Sequence, residues 1–264
     1  MKRNRWVILG VIISILMVTL AGCAGTSSSS SGAKGESKLV IGVDDKFAPM
    51  GFRDEKNELV GFDIDFAKAV GEEMGMEVTF QPIDWKAKES ELNSGRIDLI
   101  WNGYTITEER KGKVLFTKPY LENSQIIITL ADSDIHSIKD LAGKNVGLQS
   151  LSSAADALNA NPIHSEVKSV TEFADNVLAL TDLKTKRLDA VIIDEVVARY
   201  YMSKDEGTFR LVEETLAPEQ YGIGVKKGNE ALLEKLQQAI DTLNANGKAA
   251  EISTKWFGED KVLK

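Results

Sequence analysis

The chain has 264 residues, 43% of them hydrophobic and 27% charged, an ordinary globular composition with room for one large or two medium domains. Its formal charge of −8 argues against nucleic acid or an anionic membrane surface as the main partner. Two histidines (His136 and His164) and one cysteine (Cys23) leave no material for a metal cluster or a Cys/His catalytic pair, and no Walker loop, GxGxxG or GxSxG motif points to a cofactor or nucleophile.

Lys2, Arg3 and Arg5 form a positive start, and without these three cations the charge falls from −8 to −11. Residues 6–20 are an apolar run, short for a stable membrane span. Leu20-Ala21-Gly22-Cys23 follows. Charge, short apolar core and small residues make a secretory signal. The segment resembles a bacterial lipoprotein leader, whose box ends in the cysteine that becomes the lipidated N-terminus. Residues 1–22 are then a signal peptide. Acyl chains on Cys23, palmitate among them, would hold the protein at the extracytoplasmic face of the membrane. Residues 23–37, rich in Ser and Gly, read as a flexible tether.

Residues 38–43, KLVIGV, predict a strand. It runs into a loop carrying Asp44, Asp45 and Phe47. Residues 57–59 read as a hairpin tip. Gly61-Phe62-Asp63-Ile64-Asp65-Phe66 then opens a helix, with Asp63 as its expected N-cap. Phe62, Phe66, Val70 and Met74 recur at i+4 and mark a core-facing stripe. Residues 78–83 are the next strand, with Asp84 and Trp85 at its end. Asp98-Leu99-Ile100-Trp101 reads as a buried strand broken by Asn102-Gly103. Thr107 is the expected N-cap of a helix with Glu108 and Glu109 in its first turn. Thr105, Thr107 and Arg110 thus gather at the C-terminal end of a strand, where small ligands bind in open α/β sheets. The planar fork of Arg110 suits a carboxylate. The alternative is a surface Arg paired with Glu108 or Glu109.

Residues 125–130 form a long apolar strand, and a second α/β set follows. Residues 138–141 are a short helix and 145–148 a strand. Gln149-Ser150-Leu151-Ser152-Ser153 is a Ser-rich loop before a helix, whose N-terminus can hold an anion or be capped by its own serine. Strand 167–170 and helix 174–183 come next. Residues 188–193 are a buried strand stopping at Asp194, an acid that either faces a ligand or caps the following helix. Residues 221–225 are a strand. Leu232, Leu233, Leu236, Ile240 and Leu243 stripe a long helix, and Ile252, Trp256 and Phe257 pack the last one. Strands alternating with helices make a mostly parallel α/β architecture.

From about Lys38 to its end the chain resembles the extracytoplasmic binding proteins of ABC importers for polar amino acids. The matching segments are Gly61 to Phe66, Gly103-Tyr104-Thr105-Ile106-Thr107-Glu108-Glu109-Arg110, Leu188 to Glu195, and Lys255-Trp256-Phe257-Gly258. The resemblance implies an α/β periplasmic-binding fold of type II, two lobes joined by two crossing strands with the ligand between them. Lobe 1 would hold residues 38–124 and 218–264, and lobe 2 residues 125–217, with the crossings near 123–127 and 216–221. It implies roles as well. Arg110 would clamp the ligand α-carboxylate, with Thr105, Ser152 and Ser153 completing that site. Asp194 would hold the α-ammonium, helped by the Gly103 carbonyl. Phe47 and Trp85 would sandwich the side chain, and Asp44, Asn102, Gln149 and Gln220 would line the end of the pocket. The family usually carries glycine where this chain has Leu151.

A monomer is expected, delivering an L-amino acid to a membrane permease, with no cofactor, no metal and no nucleic acid. Asp44 and Asp45 beside Phe47 and Trp85 favour a basic side chain such as arginine or lysine. Gln149, Gln220 and Asn102 leave glutamine open, and cystine is a further option. Dehydratase-type enzymes use the same fold, so fold alone does not settle function. However, no acid or base outside the zwitterion site stands at a catalytic spacing, and a binder rather than an enzyme is expected.

Overall fold

The computed structural model describes residues 38–264, so the expected leader, Cys23 and the tether lie outside the described residues. Strand β1 (Lys38–Val43) buries Leu39, Ile41 and Val43 on one face and packs Val40 on the other, the period-2 pattern of a strand covered on both sides. A three-stranded patch follows: β2 (Lys46–Phe47), β3 (Gly51–Arg53) and β4 (Leu59–Val60). Helix α1 (Phe62–Met74) then lays Phe62, Phe66 and Val70 into the core. Next come β5 (Glu77–Pro82), α2 (Lys88–Ser94), β6 (Leu99–Ile100), α3 (Glu108–Lys111) and β7 (Val114–Phe116).

Strand β8 (Leu121–Leu130) leads into the second set: β9 (Asn145–Gln149), α4 (Ser153–Ala160), β10 (Ser169–Phe173), α5 (Asn176–Lys184), β11 (Ala190–Asp194), α6 (Glu195–Lys204) and β12 (Phe209–Leu211). The chain then returns through β13 (Ala217–Tyr221) to β14 (Gly224–Lys226), α7 (Glu230–Ala245) and α8 (Lys248–Phe257). Each lobe is built on its own sheet. One runs β5-β1-β6-β14-β7, with β1 parallel to β5 and β6 and β14 antiparallel to both of its neighbours. The other runs β10-β9-β11-β8-β12. Strands β8 and β13 pair antiparallel from Leu121↔Tyr221 to Gln125↔Ala217, and these two strands carry the chain between the lobes.

The start of α1 departs from the sequence reading. Its N-cap is Gly61, with no side-chain cap, and Asp63 lies inside the first turn. Asp63 is fully buried, and its Oδ2 accepts from the Gly103 N–H at 2.8 Å and the Tyr120 hydroxyl at 3.0 Å. A tertiary partner has taken the carboxylate away from the helix end. Gly61 is required because φ is 143° and a Cβ would stand 2.2 Å from the Met50 carbonyl oxygen. Among the described residues no helix is long and apolar enough to cross a membrane.

Candidate functional site

The site is assembled at the C-terminal ends of β1, β6, β9 and β11, where a sheet leaves free backbone groups and loops are at liberty to vary. After β6, Thr107 caps α3 as its sequence suggested, its Oγ1 accepting from the Arg110 N–H at 3.1 Å. Glu108 and Glu109 turn outward to Lys111 and Lys113, at 2.7 and 2.6 Å. Arg110 turns inward and is 4% exposed. Its Nη1 donates to the Thr105 carbonyl at 3.0 Å, and its guanidinium lies 4.9 Å from the centre of the Tyr104 ring. Nη2 reaches the Leu151 carbonyl at 3.5 Å. The protein partners of this cation are neutral, and it makes no ion pair among the described residues. A buried cation so placed is costly without an anion.

A second cation stands beside it. Lys88, on α2, is 2% exposed and donates to the carbonyls of Leu151 at 3.0 Å and Trp85 at 3.3 Å. Burial, and then the neighbouring guanidinium of Arg110, push its ammonium down to about 8.

Facing these from the second lobe is the loop between β9 and α4. Ser152 caps α4, accepting from the Ala155 N–H at 3.4 Å and donating to the Gln149 carbonyl at 2.7 Å. The Ser153 and Thr105 hydroxyls are 3.1 Å apart across the interlobe gap. Leu151 adopts φ 52°, a left-handed conformation, and points its side chain to solvent. Leucine therefore takes the backbone shape that glycine would adopt more readily, and the serine cap survives.

Asp194 closes β11. It does not cap α6 with its side chain. Its Oδ1 accepts from the Tyr221 hydroxyl at 2.6 Å and the Asn123 amide at 2.8 Å. Burial, and then the nearby carboxylate of Glu219, raise its proton affinity well above the ordinary carboxylate range.

One narrow cavity of about 10 Å³ is lined by Phe47, Trp85, Gly103 and Arg110 of the first lobe and Gln149, Ser152, Ser153 and Asp194 of the second. Gly103 has φ 58°, and a Cβ there would stand 2.7 Å from the Phe47 ring. Thr105 reaches the cavity through Arg110 and Ser153. Asp44 stands behind it. The Gln149 amide donates to Asp44 at 2.8 Å and to the Ala174 carbonyl at 3.1 Å, so both its protons are committed and its oxygen is the atom left for a ligand. Burial pushes the Asp44 carboxyl up to about 6.

Two expected lining residues lie elsewhere. Gln220 is exposed and faces a larger outer groove with Glu122, Tyr200 and Trp256. Side chains alternate along β13, so Glu219 and Tyr221 turn inward and Gln220 outward. Asn102 is buried but packs its amide against Gly51, where a Cβ would stand 2.2 Å from its Oδ1. Lys88, Asn123, Gln125 and Glu219 were not apparent in the sequence as site residues. The available signal was the polar alternation Asn123, Gln125 on a strand whose other buried residues, Thr129 apart, are apolar. No group of three or more His, Cys, Asp or Glu side chains among the described residues is placed to hold a metal ion.

A model of the family described as bacterial extracellular solute-binding proteins, family 3, matches residues 39–259. The chain is 31% identical to the arginine-binding extracellular protein ArtP of Bacillus subtilis over 261 residues, covering 98% of this chain and 100% of ArtP. It is 29% identical to the L-cystine-binding protein TcyJ of Escherichia coli over 263 residues, 97% of each chain. Among solved structures, an ABC uptake transporter substrate-binding protein from Streptococcus pneumoniae with bound histidine is 40% identical. It superimposes with a TM-score of 0.82, over 86% of this chain and 95% of the other.

Proposed function

This chain belongs to the bacterial extracellular solute-binding proteins, family 3, and we propose that it captures an L-amino acid between its lobes for an ABC importer. The observation that carries the reading is the pair Arg110 and Asp194: a buried guanidinium without an ion pair among the described residues and a buried acid, lining one cavity from opposite lobes. An α-amino acid carries complementary charges at the spacing its Cα fixes. Arg110, with Thr105 and the Ser152–Ser153 helix start, takes the carboxylate. Asp194 and the Gly103 carbonyl take the ammonium. Neither lobe alone satisfies both ends, so the ligand favours the closed arrangement. In that arrangement Lys46 also meets Asp175 at 2.8 Å and Phe52 packs on Tyr200 at 5.4 Å. Residues 38–124 with 218–264 form one closing body in this reading, and 125–217 the other.

The ligand is a basic amino acid, arginine or lysine. Its side chain runs between Phe47 and Trp85 toward the Gln149 oxygen, which Asp44 backs with negative charge, an end suited to a donor-rich group. The arginine specificity in the name of ArtP agrees, and the cystine and histidine of the other relatives set the alternatives. A thermal-shift panel of the twenty amino acids with ornithine and cystine tests this. Arginine or lysine should give the largest rise without being consumed. Glutamine or cystine in that place would reassign the side-chain end, and no rise with any of them would overturn the binder. The protein works as a monomer anchored through a lipid on Cys23. Labelled palmitate should enter the wild-type chain and not Cys23→Ala.

A further inference from the structure

We infer that Glu219, on the strand that returns between the lobes, is a positioning residue that holds Ser153 and Asp194 in register and tunes the charge with which Asp194 meets the ligand. The inference rests on the reading of Asp194 as the ammonium anchor. Three groups converge on one oxygen of Glu219: the Asn123 amide at 2.6 Å, the Gln125 amide at 2.9 Å and the Ser153 hydroxyl at 3.4 Å. The Asn123 amide divides its two protons between Glu219 and Asp194. The Gln125 amide divides its own between Glu219 and Ser153. One carboxylate on a crossing strand therefore orients the two amides that set both cleft residues, one on the carboxylate side of the ligand and one on its ammonium side.

The charge matters as well. Half-buried Glu219 and buried Asp194 share the Asn123 amide, and the neighbouring carboxylate adds to burial in favouring a proton on Asp194. A cation relieves the same repulsion. Facing Asp194 are the Tyr221 hydroxyl, Glu219 and, across the cavity, Arg110. On its outer side Glu219 meets a groove bearing Lys111, Arg199 and Lys261 together with Glu122 and Glu195. Arg199 there is engaged with Glu195 at 2.6 Å.

Calorimetric titration with L-arginine from pH 5 to 9 tests the proposal. Wild type should weaken toward acid as Asp194 takes a proton. Glu219→Gln should bind more weakly at pH 9 and show its acid weakening about one pH unit lower. Glu219→Ala, which also removes the acceptor for three donors, should lose about tenfold or more at pH 8. A carbon-13 NMR titration of the Asp194 carboxyl in the free protein gives a second readout, and its midpoint should fall in Glu219→Gln. Superimposable curves for wild type and Glu219→Gln in both measurements would overturn the inference while leaving the amino-acid binder intact. A shifted NMR midpoint with no arginine binding in wild type would overturn the ligand reading instead.

Discussion

Arg110, ambiguous in sequence between surface and interior, is buried in the structure. Its two acidic neighbours pair with Lys111 and Lys113, so the surface ion pair is already taken by others and the guanidinium is left to the interior. If it clamps the ligand as proposed, truncating it leaves the ligand carboxylate buried without its partner. Arg110→Ala and Asp194→Ala should each cost about 2–5 kcal/mol of binding, roughly 30- to several-thousand-fold in Kd by calorimetry. Arg110→Lys keeps the charge but loses the fork and the stacking on Tyr104, and should fall between wild type and alanine. Wild-type affinity in both alanine variants would remove these residues from the site. Asp63 is the opposite case, an acid whose work is structural. In Asp63→Ala the Gly103 N–H and the Tyr120 hydroxyl lose their acceptor, at about 1–3 kcal/mol for each buried donor. Denaturant unfolding should report the loss, and Asp63→Asn, which retains an acceptor oxygen, should recover part of it.

At the scale of elements, legibility followed locality. The cap of α3 by Thr107 depends on residues three apart and could be read directly; the cap expected from Asp63 failed because its partners lie 40 and 57 positions away. The resemblance puts Gln220 at the pocket, but a one-residue difference in strand phase exchanges the two faces, and nothing local fixes the phase of β13. Its register comes from pairing with β8, a contact remote in sequence. Lys88 was invisible for a similar reason. It lies in a polar run, and it is tertiary packing, with Trp85 and the Leu151 carbonyl closing over it, that buries it. The Leu151 loop yields a prediction of its own. A left-handed non-glycine residue costs about 1–2 kcal/mol, partly offset because glycine loses roughly 0.5–1 kcal/mol more entropy on folding. The Leu151 side chain is 58% exposed and gives up little packing when removed. Leu151→Gly should therefore raise stability by at most about 1 kcal/mol and leave ligand affinity within a factor of about two. A drop in melting temperature would show that the leucine side chain holds the loop.

The whole molecule concentrates buried acids around its cleft, and that concentration sets how its stability depends on pH. Burial pushes Asp44 up to about 6 and Asp63 up to about 7, and burial with Glu219 raises Asp194 too. Each of these groups binds its proton more tightly folded than unfolded. Between the ordinary carboxylate range and about pH 7 the folded state therefore carries more protons, and stability falls as pH rises through that window. Surface acids act in the other direction. Glu91, Asp182 and Asp205, held below their ordinary range by Arg96, Arg187 and Lys184, lose their contribution only as pH falls below that range. The ligand-free protein should accordingly melt higher near pH 5 than at pH 8 in scanning calorimetry. In the proposed reading a bound amino acid places an ammonium against Asp194 and a donor-rich side chain toward Asp44, neutralising two of the acids that destabilise the empty cleft. The rise in melting temperature on adding saturating arginine should be larger at pH 8 than at pH 5. Asp194→Asn should remove most of that difference, because an amide neither titrates nor pairs with the ammonium. A ligand-free melting temperature that climbs from pH 5 to pH 8 would mean that the buried acids do not govern the stability of this fold.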